Sequence, residues 1–130
     1  MRHVIYADSS ALVKLVVREA ESAALRRYLR RRTVLSSALA RTEVTRAVLD
    51  LGDTAVAAAR GLLGAVELVR VTDEVLDGAG VLRPAGVRSL DAIHLATAKL
   101  LQGDLGEVVT YDTRMADAAR SLGLPVMSPS

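Results

Sequence analysis

The sequence predicts an α/β fold with a mainly parallel central sheet of four to five strands flanked by helices. Three observations predict it. Short apolar runs alternate with helical stretches along the whole chain. The first run, Val4 to Ala7, has no charged position, as expected of a strand buried on both faces. Hydrophobic residues make up 51% of the 130 residues and aromatics only 2%, so the core must come from Ala, Val, Leu and Ile. A chain of this length is expected to form one domain with its own core.

The elements follow in order. Val4 to Ala7 is the first strand. Ser9 or Ser10 caps a helix over Ala11 to Val17. A second helix spans Glu19 to Arg32, acidic at its start and basic at its end, which suits the helix dipole. Thr33 to Ser36 is strand two, and Ser37 caps a helix over Ala38 to Leu51 that Gly52-Asp53 stops. Thr54 to Leu63 is an alanine-rich helix ended by Gly64, and Val66 to Val71 is strand three. Asp73 caps a helix that Pro84 and its neighbouring glycines break between Gly80 and Gly86. Ser89 to Leu101 is the most strongly helical apolar stretch, and Glu107 to Tyr111 is strand four. Thr113 to Leu122 is a helix with Gly123 as its C-terminal stop, and Pro125 to Met127 adds a short fifth strand. Ser128 to Ser130 is expected to fray.

Composition excludes several kinds of chemistry. Without cysteine there are no disulfides, thiolate metal sites or thiol nucleophiles. No stretch reaches the roughly 18 apolar residues of a membrane span, and no signal peptide is apparent, so a cytoplasmic location is expected. The formal net charge is +2, and only Lys14 and Lys99 of the 17 basic residues are lysines. Arginine suits bidentate phosphate contact. The run Arg26, Arg27, Arg30, Arg31, Arg32 reads as a solvated face. No histidine stands in a triad relation to Ser9 or Ser10, and no glycine-rich phosphate loop is present.

Four acids carry the chemistry. Asp8, Glu43, Asp91 and Asp112 each sit where an apolar strand ends or a helix begins. In an open parallel sheet these places fall at the carboxyl ends of the strands, where such folds build ligand sites. Singly, each acid has an ordinary explanation as a helix cap or a dipole partner. Together they map to one edge. At about 5 Å and an effective dielectric of about 20, each pair repels by ~3 kcal/mol, which a divalent cation would relieve. Oxygen donors without cysteine favour Mg²⁺ or Mn²⁺ over zinc. Asp117, a turn beyond Asp112, is a candidate extra acid. His94, three residues after Asp91 and between Ile93 and Leu95, reads as packed or supporting rather than ligating.

At these residues the sequence resembles the PIN-domain ribonucleases, specifically the VapC toxins of bacterial toxin–antitoxin pairs. The resemblance is carried by Tyr6-Ala7-Asp8-Ser9-Ser10, Thr42-Glu43-Val44-Thr45-Arg46-Ala47, Leu90-Asp91-Ala92-Ile93-His94-Leu95-Ala96 and Val109-Thr110-Tyr111-Asp112-Thr113-Arg114-Met115. It runs the length of the chain and implies a three-layer PIN-like fold over residues 1–130. It implies that Asp8, Glu43, Asp91 and Asp112 form the acidic metal site, supported by Ser9 and Thr110. It implies Mg²⁺- or Mn²⁺-dependent hydrolysis of RNA phosphodiesters, a VapB-like antitoxin partner and a homodimer. Arg46, Arg88 and Arg114 are the arginines expected at the RNA, and the apolar residues Leu12, Val16, Leu39 and Val48 could line an antitoxin groove. Two further readings keep the same fold: a non-catalytic module binding RNA or protein, and a DNA-directed nuclease with the same metal site. A phosphoreceiver reading fails on the lack of any lysine beyond Lys99.

Overall fold

The computed structural model describes residues 3–130. The sheet has five strands: β1 (Val4–Ala7), β2 (Val34–Ser37), β3 (Glu67–Val69), β4 (Leu105–Val109) and β5 (Val126–Met127). They run in the order β3-β2-β1-β4-β5, and every pairing is parallel. Ala7 pairs with Val109, Val109 with Met127 and Ser37 with Val69, so the carboxyl ends share one edge. The order reverses direction between β1 and β4. Such a switch point opens a crevice between the strand ends, and ligands bind there in open α/β sheets.

Seven helices cover the sheet: α1 (Ser9–Val16), α2 (Ser22–Leu29), α3 (Ala40–Val48), α4 (Asp53–Ala65), α5 (Asp73–Gly80), α6 (Ser89–Lys99) and α7 (Thr113–Ser121). Strand alternation divides the core between two faces. Ile5, Ala7 and Val109 pack with Ala11, Leu12, Leu25, Val44, Val48 and Leu63 from α1 to α4. Tyr6 and Val108 point the other way, onto Ala98 of α6. Leu95 of α6 joins Met115, Ala118 and Ala119 of α7 in a third cluster. Two helical layers around one sheet are what the apolar first strand requires, because no face of it meets water.

Several boundaries differ from the sequence expectation, for local reasons. Asp8, not Ser9 or Ser10, caps α1 by accepting from the Ala11 amide. α2 is shorter than Glu19 to Arg32. The buried Ser22 hydroxyl accepts from the Glu19 amide and donates to the Val17 carbonyl, which builds a turn ahead of the helix. Arg31 leaves it with φ of 64°. The Ser37 hydroxyl accepts from Leu39 just before α3, and a 3-10 turn over Leu49–Leu51 replaces that helix's predicted last turn. Gly64 does not end α4, which runs on to Ala65. A mid-helix glycine weakens a helix by only about 1 kcal/mol, and burial of Ala59 and Leu63 offsets it. Thr72, not Asp73, caps α5. Gly123 (φ 77°) ends α7 as expected.

The C-terminal residues do not fray. The Ser128 hydroxyl donates to the Thr110 carbonyl, the Tyr111 hydroxyl donates to the Pro129 carbonyl, and Pro129 is buried. Leu12 and Val48 are wholly buried, so they belong to the core and line no groove.

Leu12→Ala should destabilise the protein by about 2–5 kcal/mol, as fully buried leucines do. Val81→Ser, at an 80% exposed position, should stay within about 0.5 kcal/mol of the parent. Urea unfolding of the two variants beside the parent measures both.

Candidate active site

The four acids reach the switch-point edge on four different elements. Asp8 follows β1 directly and is buried. Its Oδ1 accepts from the Ser10 hydroxyl at 2.7 Å and the Ala11 amide at 3.1 Å, and its Oδ2 accepts from the Thr110 hydroxyl at 2.6 Å. Burial pushes this carboxyl above its ordinary range, against the pull of those three donors. Ser10 also accepts from the Tyr111 amide at 2.9 Å, so it stitches the end of β1 to the end of β4.

Glu43 lies on α3 and is partly exposed. Its Oε1 accepts from the Ser9 hydroxyl at 2.7 Å and lies 2.6 Å from His94 Nε2. Burial pushes the carboxyl up, but the hydrogen bonds from His94 and Ser9 outweigh it and hold Glu43 below its usual range. Glu43 is therefore an ionised acceptor. The other nitrogen of His94, Nδ1, lies 2.6 Å from the Tyr6 hydroxyl, with the two rings edge to face. His94 is buried, and both of its nitrogens have a partner.

Asp91 opens α6 and makes no hydrogen bond or ion pair with another described side chain. Burial raises its pKa, followed by the charge of Asp112; His94 opposes this, and Asp8 and Glu43 add to it. Asp91 thus feels all three other acids. Asp112 caps α7, accepting on Oδ1 from the Arg114 and Met115 amides at 2.9 and 3.3 Å.

The four acids share a neighbourhood, but they do not meet as the converging cluster the sequence suggested. Among the described residues, no three or more His, Asp or Glu side chains form a group that could hold a metal ion as they stand. The reason is visible in the hydrogen bonds: Oε1 of Glu43 faces His94, and Oδ1 of Asp112 faces its own helix.

A cleft of about 370 Å³ adjoins Asp91, and Arg88, Arg114 and Asp117 line it with Pro84 and Val87. Asp117 thus lines the same cleft as Asp91, although it is exposed and pairs at 3.7 Å with Arg120. Arg46 is exposed on α3 and does not line the cleft. Arg30 to Arg32 immediately precede the start of β2, at the opposite edge of the sheet from the acids. Arg26 donates to the Leu15 carbonyl at 3.2 Å, and Arg32 lies over the Tyr28 ring.

Sequence reading missed Tyr6 and Ser10 as site residues. Ser10 looked like one of two interchangeable caps, and Tyr6 like a plain strand residue. A signal existed, since a buried tyrosine hydroxyl needs a partner.

The family model described as PIN domain matches residues 5–121. Ribonuclease VapC46 of Mycobacterium tuberculosis (strain ATCC 25618 / H37Rv) is 60% identical over 127 residues, covering 97% of this chain and 98% of the relative. Among solved structures, Mycobacterium tuberculosis VapC20, described as a sarcin-ricin loop cleaving toxin, superposes with a TM-score of 0.70 at 21% identity, over 88% of this chain and 94% of that one. A toxin–antitoxin complex from Klebsiella pneumoniae gives 0.72 at 21% identity, over 98% of both chains. At those identities the structures establish the shared fold.

The electrostatics give a sign that can be checked. A carboxyl whose folded pKa is raised binds its proton more tightly in the folded state, so ionising it lowers stability. That loss begins as pH rises through the unfolded value of 3.8 and is complete above the raised folded value. Asp91→Asn should therefore raise the melting temperature of the metal-free protein at pH 7, with the gain shrinking as pH falls toward 3.8. An unchanged or lower melting temperature at pH 7 would mean that ionised Asp91 carries no net penalty from burial and the neighbouring acids.

Proposed function

This chain belongs to the PIN-domain family, and from that premise we propose that it is a divalent-metal-dependent endoribonuclease, the toxin of a toxin–antitoxin pair. One observation carries the reading: Asp91 sits in the combined negative field of Asp112, Asp8 and Glu43 at the β1/β4 switch point. Such a site repels an RNA phosphate unless a cation accompanies it. The strong identity to a ribonuclease over nearly the whole chain supports the same substrate class.

The donor chemistry fits a hard cation. The site offers carboxylate oxygens and no thiolate, and both oxygens of Asp91 and Oε2 of Glu43 accept no hydrogen bond from another described side chain. Asp8, Glu43, Asp91 and Asp112 would hold Mg²⁺ or Mn²⁺, and when bound the ion supplies Lewis acidity and neutralises phosphate charge. The protein's own residues do the rest. Glu43, ionised and fixed through Oε1, orients the attacking water with its free oxygen and takes the proton. The water attacks phosphorus and the bond to the ribose 3′-oxygen breaks, leaving a 5′-phosphate and a 3′-oxygen that takes its proton from solvent. Ser9 and Thr110 hold Glu43 and Asp8 in place. Arg88 and Arg114, flanking Asp91 in the cleft, bind neighbouring phosphates.

No helix among the described residues is long and apolar enough to cross a membrane. We infer that the protein acts in the cytoplasm, where its RNA substrate is. We also infer that it is restrained by a VapB-like antitoxin and that it pairs as a homodimer.

The test is 5′-end mapping of total cellular RNA incubated with purified protein and Mg²⁺ or Mn²⁺. Discrete new ends are expected with the parent and none with Asp8→Asn or Asp91→Asn. An active variant, or no new ends from folded, antitoxin-free parent, would overturn the reading. Replacing Arg88 or Arg114 by Ala should weaken RNA binding. Each should also flatten the salt dependence of log affinity by about 0.7 per lost contact, as counterion release from single strands requires. Arg46→Ala, outside the cleft, should change that slope less.

A further inference from the structure

Behind Glu43 lies a chain of hydrogen bonds that the reaction as described does not use. It runs from Tyr6, at the centre of β1, through His94 on α6, to Glu43 on α3, with Ser9 of α1 joining at the same oxygen. We propose that Tyr6 and His94 form a positioning relay that fixes the Glu43 carboxylate, holding Oε1 inward and leaving Oε2 free for the site. The proposal deepens the ribonuclease reading and rests on its assignment of Glu43.

The Glu43 carboxylate has no proton to give, so the hydrogen in its 2.6 Å contact sits on His94 Nε2. The other ring nitrogen, Nδ1, is turned toward β1. The Tyr6 hydroxyl is 2.6 Å away. The contacts join the three groups in one chain, Tyr6 to His94 to Glu43. The Ser9 hydroxyl donates to the same Oε1 at 2.7 Å. Two donors on one oxygen fix the carboxylate plane and leave its other oxygen uncommitted.

Packing makes the relay stiff. Tyr6 is 1% and His94 2% exposed, so neither ring can swing into solvent. The two rings meet edge to face with centroids 5.8 Å apart. Thr97, one turn along α6, donates to the Ile93 carbonyl. The relay therefore ties Glu43 to the central strand of the sheet, although α3 itself contributes only the carboxylate. Partners of this kind behind a ligating group typically change metal affinity by about 10–100-fold when removed.

The test uses the full-length protein and Mn²⁺ as probe, titrated by calorimetry against the parent, Tyr6→Phe, His94→Leu and His94→Gln, with folding checked by circular dichroism. Tyr6→Phe removes one hydroxyl and leaves the ring. Tyr6→Phe and His94→Leu are expected to bind Mn²⁺ about 10-fold or more weakly, and His94→Gln, which keeps an N–H donor, to recover part of the loss. Parent-like affinity in folded Tyr6→Phe and His94→Leu would reduce the pair to ordinary packing and overturn the relay. If His94→Leu does not fold, Tyr6→Phe decides. A second, metal-free readout separates this from the ribonuclease reading. In long-range proton–nitrogen spectra, Tyr6→Phe and Glu43→Gln should each move the His94 ring nitrogens. Unmoved nitrogens overturn the relay. A parent that binds no Mn²⁺ but whose His94 signals respond would sink the metal-dependent reading and leave the relay standing.

Discussion

The carboxylate of Asp8 is the point on which the molecule is organised. It is buried where β1 turns into α1, and a buried carboxylate is tolerated only when donors surround it. Those donors come from both ends of the chain. Ser10 and the Ala11 amide are local, but the Thr110 hydroxyl arrives from 102 positions away. The bond requires the ends of β1 and β4 to lie side by side, as the parallel register of Ala7 with Val109 provides. It also requires the residues after β4 to curl back, and Ser10 holds the Tyr111 amide to enforce that. Even the C-terminal residues join, through the Ser128 bond to the Thr110 carbonyl. One charged group at a strand end thus couples the β1–α1 junction, the β4–α7 junction and the C-terminus.

The fold was legible because its signals are local. Val4 to Ala7 announces a two-faced strand in four letters, and each strand end is followed by residues that cap or turn. The acid quartet was legible for the same reason, since strand ends in a parallel sheet share an edge whatever the strand order. The carboxylate orientations were not legible. Asp112 faces its own helix because the Arg114 and Met115 amides are orphan donors at its start. Glu43 faces inward because His94 arrives from α6, a contact between residues 51 apart. Spacing along the chain predicts which groups share a neighbourhood, and only three-dimensional hydrogen-bond competition decides where each oxygen points. The fraying expected of Ser128 to Ser130 failed likewise, because it rested on position in the chain and not on partners.

The arginines show the same division. Their number suggested phosphate binding, but topology sorts them. Arg30 to Arg32 run straight into the start of β2, so a parallel sheet must carry them to the edge opposite the acids. Arg88 and Arg114 flank the helix starts that carry Asp91 and Asp112, so the same geometry that gathers the acids brings these two cations to the cleft. Net charge could not have distinguished these groups, whereas their place relative to strand ends does.

The scarcity of aromatics gives Tyr6 its significance. The core is built from alanine and branched aliphatic residues, and Tyr6 is the largest of its fully buried side chains. A phenylalanine would fill that volume without a hydroxyl to satisfy. A buried hydroxyl without a partner costs about 1–3 kcal/mol, so tyrosine here depends on its polar neighbours, His94 at 2.6 Å among them. His94 in turn, buried beside a carboxylate, is satisfied only when both of its nitrogens are matched. Packing and polarity are therefore not separable at this place. The residue that fills the middle of the sheet also holds the His94 ring, and His94 in turn holds Oε1 of Glu43 inward.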